Sequence, residues 1–479
     1  MALVISKILP PANVYLMGIC GTGMASLAGL LRQLGFNVRG SDTQAYPPMG
    51  ELLKRLQIPV SIGYKPENLF PRPDLVVIGN VIRRDNPEAQ YVIENDIPYL
   101  SFPQAISSFF LRDKMSLVVA GTHGKTTTSS LLLSALEATG LEPGFMIGGV
   151  VKKHGCGFRL GDASYFILEG DEYDTAFFDK QPKFMHYRPF GAILTSIEFD
   201  HADIYPDIDA IVKAFRRFVR LIPEDGVLVA CSDWAHVKGL LGEARCRVIT
   251  YGMNEDAAWR LTGIRDSGKN GSMSFDFLYN GTMGSCEILL PGRHNALNSL
   301  AVIALCDAIG VDCKIAKQGL GAAQGVKRRQ EVRGEIDGVL VIDDFAHHPT
   351  AVRETIAALK ARYAGRRLIV VFEPRTNTSR RNIFQDDYAK SFAGADWALI
   401  REVPDPEKVM PDERFSSERL ADDLCKQGVS AICLPDATAI INILAKDCRS
   451  GDVVAVFSNG AFEGIHDRLL EILRLRNGV

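Results

Sequence analysis

Along the chain, short aliphatic and β-branched runs alternate with longer stretches whose apolar positions recur at helical spacing. Read as strands, the runs are Val14–Met17, Asn37–Arg39, Leu75–Ile78, Leu117–Ala120, Tyr165–Leu168, Ala192–Ser196, Gly226–Ala230, Val339–Ile342, Leu368–Phe372, Ala398–Arg401 and Val453–Phe457. Runs this apolar suit strands buried on both faces, so the pattern predicts parallel sheets covered by the intervening helices. One segment differs. Ser272–Leu278 and Ser285–Leu290 flank Asn280-Gly281, a dipeptide suited to a tight hairpin turn, which predicts an antiparallel addition to the parallel core.

Composition breaks divide the pattern. The first is Ser108–Lys114, ahead of the Leu117 strand; the second is the Gly-led basic stretch Gly325-Val326-Lys327-Arg328-Arg329. They predict three domains, 1–110, 111–325 and 326–479, as expected for 479 residues, more than one hydrophobic core usually organises. No short-period repeat or low-complexity tract interrupts them.

Apolar residues at 47% and charged residues at 23% exclude a disordered, collagenous or coiled-coil chain. Lys+Arg 54 against Asp+Glu 57 leaves a net charge of −3, so no global basic field recommends nucleic acid or an anionic membrane as partner. The ten cysteines are scattered without a C-x-x-C pair and read as reduced thiols. Met1–Pro11 lacks the build of a secretory leader, and no run of 18 apolar residues predicts a membrane span. The expectation is a soluble, cytoplasmic, multidomain α/β protein.

The strongest chemical signal is Gly121-Thr122-His123-Gly124-Lys125-Thr126-Thr127, between the Leu117–Ala120 strand and an apolar helix. Glycines let backbone N–H groups approach an anion at a helix N-terminus. Lys125 reaches terminal phosphates, and the Thr126 hydroxyl suits Mg²⁺. The loop departs from the longer phosphate-loop pattern in having Val119 where the first glycine would stand. Past the next two strands lie Glu169-Gly170-Asp171-Glu172 and Glu198-Phe199-Asp200-His201, with carboxylates placed as oxygen ligands for a hard cation; Glu172 and Glu198 read equally well as solvated loop charges. The N-terminal Gly18-Ile19-Cys20-Gly21-Thr22-Gly23-Met24 follows a strand and opens a helix, with Asp42 at the end of the next strand. That is close to a dinucleotide fingerprint, or a cradle for another diphosphate. Asn295 and Asn298 share one helix face after Gly292. Arg328 and Arg329 precede Asp343-Asp344-Phe345-Ala346-His347-His348-Pro349, as an arginine clamp would.

Taken as an ordered set, these motifs resemble the Mur ligase family, ATP-dependent amide-forming enzymes of peptidoglycan metabolism. The resemblance implies an α/β, three-domain Mur ligase architecture: a Rossmann-like N-terminal domain, a P-loop-type central ATPase domain with the added β hairpin, and a Rossmann-like C-terminal domain. Within the family the glycine pattern and His-His-Pro-Thr are similar to the branch that activates UDP-N-acetylmuramate. Glu169-Gly170-Asp171-Glu172-Tyr173-Asp174, Asp344-Phe345-Ala346-His347-His348-Pro349 and Phe372-Glu373-Pro374-Arg375-Thr376-Asn377 resemble the members that attach L-alanyl-γ-D-glutamyl-meso-diaminopimelate in peptidoglycan recycling. Free L-alanine, the acceptor of de novo synthesis, is the alternative.

By that resemblance UDP-N-acetylmuramate is expected at Gly21, Thr22, Gly23, Met24, Asp42 and Asn80. ATP is expected at Gly121, Thr122, His123, Gly124, Lys125, Thr126, Thr127, Asn295, Asn298, Arg329 and Asp344. Two Mg²⁺ ions are expected on Thr126, Glu169 and His201, and the tripeptide at Arg375, Arg380, Arg381 and His348, the last also a candidate base. Lys125, Glu169, His201 and Arg329 are the expected catalytic set. Several relatives carry a carbamylated lysine whose register here reads Phe215, with Lys213 two residues earlier, so no carbamate is expected. A monomer or weak homodimer is expected. A nicotinamide-dependent oxidoreductase and a non-catalytic sugar-nucleotide sensor are the readings from other classes, and the third acceptor residue, diaminopimelate or lysine, stays open.

Overall fold

The computed structural model describes residues 8–266 and 272–476. Most of the Met1–Pro11 segment therefore lies outside the described residues. Three sheets follow one another along the chain. The first has five parallel strands in the order Val60–Ile62, Asn37–Asp42, Asn13–Met17, Leu75–Ile78, Tyr99–Ser101. Its centre is tied by Glu88, which is fully buried and accepts hydrogen bonds from Tyr15 Oη at 3.0 Å, Ser41 Oγ at 2.6 Å and Asn68 Nδ2 at 2.7 Å. A buried carboxylate is tolerated only with donors of this kind around it.

The second sheet has ten strands. Its parallel core runs Val227–Cys231, Pro189–Leu194, Met115–Ala120, Tyr165–Gly170, Gly144–Val151. Helices Lys125–Ala138 and Arg293–Ala308 share one apolar core against it, through Leu131, Leu132, Leu300 and Ile303. At one edge Met273–Tyr279 pairs antiparallel with Thr282–Ile288, closed by Asn280 and Gly281 at φ of +48° and +75°. This is the hairpin expected from the sequence, with both turn residues in the left-handed region its tight turn requires.

The third sheet runs Glu331–Ile336, Val339–Asp344, Val453–Phe457, Leu368–Phe372, Trp397–Arg401, Ser430–Leu434, parallel except for its first strand. The link into it is pinned, not loose: Lys327 N donates to Val150 O at 2.9 Å and Lys152 N to Gly325 O at 3.1 Å. No helix among the described residues is long and apolar enough to cross a membrane.

Most of the core strands are those the hydrophobic runs predict, but Gly144–Val151 of the parallel core escaped the pattern, its run broken by glycines, as did Arg247–Gly252, Trp259–Asp266 and the short edge strands. One terminus differs for a chemical reason. The strand expected to reach Ser196 ends at Leu194, because Thr195 and Ser196 turn their hydroxyls onto the glycine loop beside them.

Candidate active site

The glycine loop leaves strand Met115–Ala120 at Gly121, whose φ of +129° and lack of a Cβ both matter, since a Cβ would collide with the Thr195 hydroxyl. Thr122 N then donates to Ser196 O at 2.9 Å, His123 N to Ser196 Oγ at 3.0 Å, and Thr195 Oγ1 to His123 O at 2.6 Å. The neighbouring strand end thus holds the loop's backbone. Gly124, at φ +81°, turns the chain into helix Lys125–Ala138. The N–H groups of Lys125, Thr126 and Thr127 begin that helix without intrahelical acceptors and present the positive dipole end.

Lys125 Nζ donates to Gly121 O at 2.7 Å and pairs with Glu172 Oε2 at 2.9 Å. Burial alone would lower this ammonium, but the carboxylates of Glu172 and Asp171 hold it above its usual value. Burial would raise Glu172, yet Lys125 and then His201 outweigh it and hold the carboxyl below the usual range. His201 Nε2 lies 3.4 Å from Glu172 Oε1, and that contact raises its imidazole against the opposing effect of burial.

Glu169 differs. It accepts from Thr126 Oγ1 at 3.0 Å and from Gly148 N at 2.6 Å, and burial, with Asp171 adding, pushes its carboxyl up. Two hard oxygen donors side by side, Thr126 buried and Glu169 half-buried, the latter with no ion pair among the described residues because Lys125 is committed to Glu172, fit Mg²⁺. Of the expected metal residues, Thr126 and Glu169 therefore meet directly, whereas His201 is partnered by Glu172.

A cavity of about 600 Å³ opens beside this loop and is walled by both the second and third modules. Gly124 and Thr126 form one side, Asn295 and Asn298 another, Arg329 and Asp344 a third, and Trp234, Tyr251 and Leu290 an apolar end. Asn298 Nδ2 donates to Asn295 Oδ1 at 3.3 Å, and Asn295 Nδ2 to Pro291 O at 2.8 Å. Arg329 stacks over Phe345 at 4.8 Å. Asp344 accepts from Gln330 N at 2.7 Å and Ala346 N at 2.8 Å, so both its oxygens hold the turn that carries Arg329.

The other expected groups divide. Asp42 sits at the first glycine loop but is 7% exposed and accepts from Cys20 N at 2.8 Å and Thr43 N at 2.7 Å, shaping the loop from within. Gly21, Thr22 and Gly23 are accessible at the start of helix Thr22–Gln33, Met24 is buried, and Asn80 is exposed past the adjacent strand. Gly23 faces Phe102 and Met146, so this loop looks toward the second module.

In the third module Arg375 is exposed. Arg380 is buried with its guanidinium 3.1 Å from Asp405, and Arg381 is committed to Glu413 at 2.6 Å. His348 caps helix Pro349–Arg362: its Nδ1 accepts from Thr350 N at 3.2 Å and its Nε2 donates to Phe199 O at 3.1 Å. Burial, reinforced by His123, pushes it down to about 3. With both nitrogens engaged, it has no lone pair to offer as a base. Lys213 is exposed on helix Ile208–Val219, while Phe215 is fully buried against Phe184.

The sequence left Glu172 and Glu198 open between cation ligands and solvated loop charges. Glu172 joins Lys125 to His201, and Glu198 lies 2.6 Å from His123. The acid-rich strand ends were the available signal, but a one-dimensional pattern does not say which carboxylate turns inward.

Residues 13–114 match the description "Mur ligase family, catalytic domain", 119–306 "Mur ligase middle domain", and 328–460 "Mur ligase, glutamate ligase domain". The UDP-N-acetylmuramate–L-alanyl-γ-D-glutamyl-meso-2,6-diaminoheptandioate ligase of Escherichia coli K12 is 40% identical, over 96% of this chain and 98% of its own length. A UDP-N-acetylmuramate–L-alanine ligase of Caldanaerobacter subterraneus is 32% identical, over 96% and 97%. The crystal structure of a murein peptide ligase from Psychrobacter arcticus superposes with a TM-score of 0.73 at 35% identity, over 96% of this chain and 98% of that one. With three consecutive domain matches, a full-length relative and the expected three-sheet architecture in agreement, this chain belongs to the Mur ligase family of ATP-dependent, amide-forming enzymes.

Proposed function

We propose that this enzyme joins the carboxylate of UDP-N-acetylmuramate to the amine of L-alanyl-γ-D-glutamyl-meso-diaminopimelate, in peptidoglycan recycling. The observation that carries the choice of acceptor is the segment Arg375–Arg381. It overlaps Phe372–Asn377, whose resemblance is to the tripeptide-attaching members, and it docks onto the loop bearing His201. Thr378 Oγ1 donates to Asp200 Oδ1 at 2.9 Å and Asn377 Nδ2 to Asp203 Oδ2 at 2.7 Å. Arg375, exposed beside these contacts, offers a fixed fork to a peptide carrying several carboxylates. The greater similarity to the tripeptide ligase of Escherichia coli than to the L-alanine ligase points the same way.

In this reading the glycine loop and Lys125 bind the triphosphate, and Asn295 and Asn298 face its base in the cavity. The first module presents the sugar nucleotide at Gly21, Thr22, Gly23 and Met24, with Asn80 near it. A carboxylate oxygen of the muramoyl group attacks the γ-phosphorus, the bond to ADP breaks, and an acyl phosphate forms. The acceptor nitrogen then attacks the acyl carbon, loses a proton, and expels phosphate. Thr126 and Glu169 would hold Mg²⁺, with His201 toward a second ion, and the metal would neutralise charge on the phosphates. Lys125 leaves Glu172 for the phosphates, and Arg329 crosses from the third module to face the same charge. The third module closes over the cavity and keeps water from the acyl phosphate.

A monomer or weak homodimer is proposed, with all three modules on one chain, and the need for ATP and a UDP-sugar supports a cytoplasmic reaction. The test is ADP release from ATP and UDP-N-acetylmuramate, comparing the tripeptide, its lysine-containing analogue and L-alanine. Tripeptide-dependent release is expected; turnover with L-alanine alone would overturn the acceptor assignment.

A further inference from the structure

The segment Glu198–Asp203, past the end of strand Pro189–Leu194, is one place where the third module rests on the second. Besides the Thr378 and Asn377 contacts, His348 Nε2 donates to Phe199 O at 3.1 Å and Thr350 Oγ1 donates to Glu198 Oε1 at 3.0 Å. The other carboxylate oxygen of Glu198 lies 2.6 Å from His123 Nε2 in the phosphate loop. Glu198 is also fixed through its backbone, its N–H accepted by Thr122 Oγ1 at 2.9 Å. One carboxylate thus has an oxygen on the nucleotide loop and an oxygen on the lid.

We propose that Glu198 is a positioning residue that couples seating of the third module, through Thr350, to the geometry of the phosphate loop, through His123. The inference rests on the ligase reading above. Two charge-assisted hydrogen bonds to a single carboxylate cannot be independent. Each fixes the rotamer that the other needs, so removing one frees the side chain to turn toward water and loosens the second. At 25% side-chain exposure Glu198 has water to turn to once Thr350 withdraws. The loop therefore reaches its fixed form when the lid is down, and productive phosphate geometry coincides with water exclusion.

A metal centre is the competing explanation, since ligand atoms of His123, Glu198 and His348 lie within 4.8 Å of one another. It fails on the hydrogens. His348 already donates from Nε2 and accepts at Nδ1, so ligation would break either the Phe199 contact or its own helix cap.

The test is a set of double-mutant cycles on the full chain, with Thr350→Val combined in turn with His123→Asn and Glu198→Gln. Two quantities are read: kcat for tripeptide-dependent ADP release, and affinity for magnesium AMP-PNP by calorimetry. Thr350→Val is expected to lower kcat roughly tenfold in the otherwise native enzyme but less than about twofold once His123 or Glu198 is replaced, and Thr350→Ser is expected to restore the native rate. The same non-additivity is expected in nucleotide affinity. An equal factor in every background, or failure of Thr350→Ser to restore the rate, would overturn the proposal. If the native protein itself released no ADP, the ligase reading would fail, and the affinity cycles would still decide the coupling.

Discussion

The ammonium of Lys125 is held 2.9 Å from the carboxylate of Glu172, a side chain only 2% exposed. Lys125, the residue proposed to bind phosphate, is thus paired with an internal carboxylate, and a nucleotide bound as proposed would compete with Glu172 for it. Glu172 keeps His201 at 3.4 Å when that happens, so it is not left uncompensated. The pair spares the empty site a buried, unpaired lysine and aims the ammonium along the loop.

Replacing Lys125 by Met removes the cation from both roles. ADP release is expected to fall on the order of a thousandfold. Glu172, left with only the weaker His201 contact, is expected to cost about 2 kcal/mol of stability, read as a lower urea midpoint. Adding Glu172→Gln to that variant is expected to recover stability without activity, a result that a merely damaged loop would not give.

Gly124→Ala tests the meeting of the loop with the asparagine helix. The position has φ +81°, and an added Cβ would lie 3.0 Å from Asn298 Oδ1. Left-handed strain and displacement of Asn298 together are expected to raise the KM for ATP about tenfold. The KM for the tripeptide is expected to stay within a factor of two, about the limit of steady-state comparison.

Acid lability follows from histidines kept neutral by burial. Burial pushes His294 down to about 4 and His348 down to about 3, both from an ordinary value of 6.5. Between the folded and unfolded values the unfolded chain binds more protons, so stability is complete above about pH 6.5 and drains away as pH falls toward the folded values. From about pH 6.5 to about pH 5 each is expected to cost about 2 kcal/mol. Urea midpoints across that range would show it. His348→Asn, which keeps a capping side chain, is expected to flatten the slope by about half; an unchanged slope would remove His348 from the account.

Two of the arginines proposed to face the acceptor are expected to separate. Arg375 is exposed and free of a carboxylate within ion-pair distance among the described residues, so Arg375→Ala is expected to raise the KM for the tripeptide ten- to a hundredfold, about the worth of a lost charge-assisted pair. Arg381 serves Glu413 on the surface, and Arg381→Ala is expected to change that KM less than about twofold. Steady-state kinetics with varied tripeptide distinguish the two; equal effects would contradict the geometry.

Much of this was legible in one dimension because it is local. A run such as Leu117–Ala120 followed by Gly121–Thr127 carries its strand, its turn and its helix start in consecutive residues, and Asn280-Gly281 closes its hairpin with no help from elsewhere. The ordered motifs from Gly18 to Pro349 likewise identified the family and its three sheets. What the sequence left undecided are relationships across long chain separations: that Glu172, not Glu169, holds Lys125 and His201; that Asp42 and Asp344 turn inward onto backbone N–H groups; that Glu198 reaches both His123 and Thr350. Equivalent carboxylates in one acidic stretch look alike in sequence. Only packing decides which is stripped of water and beside which charge, and a carboxylate's role is set by those two conditions.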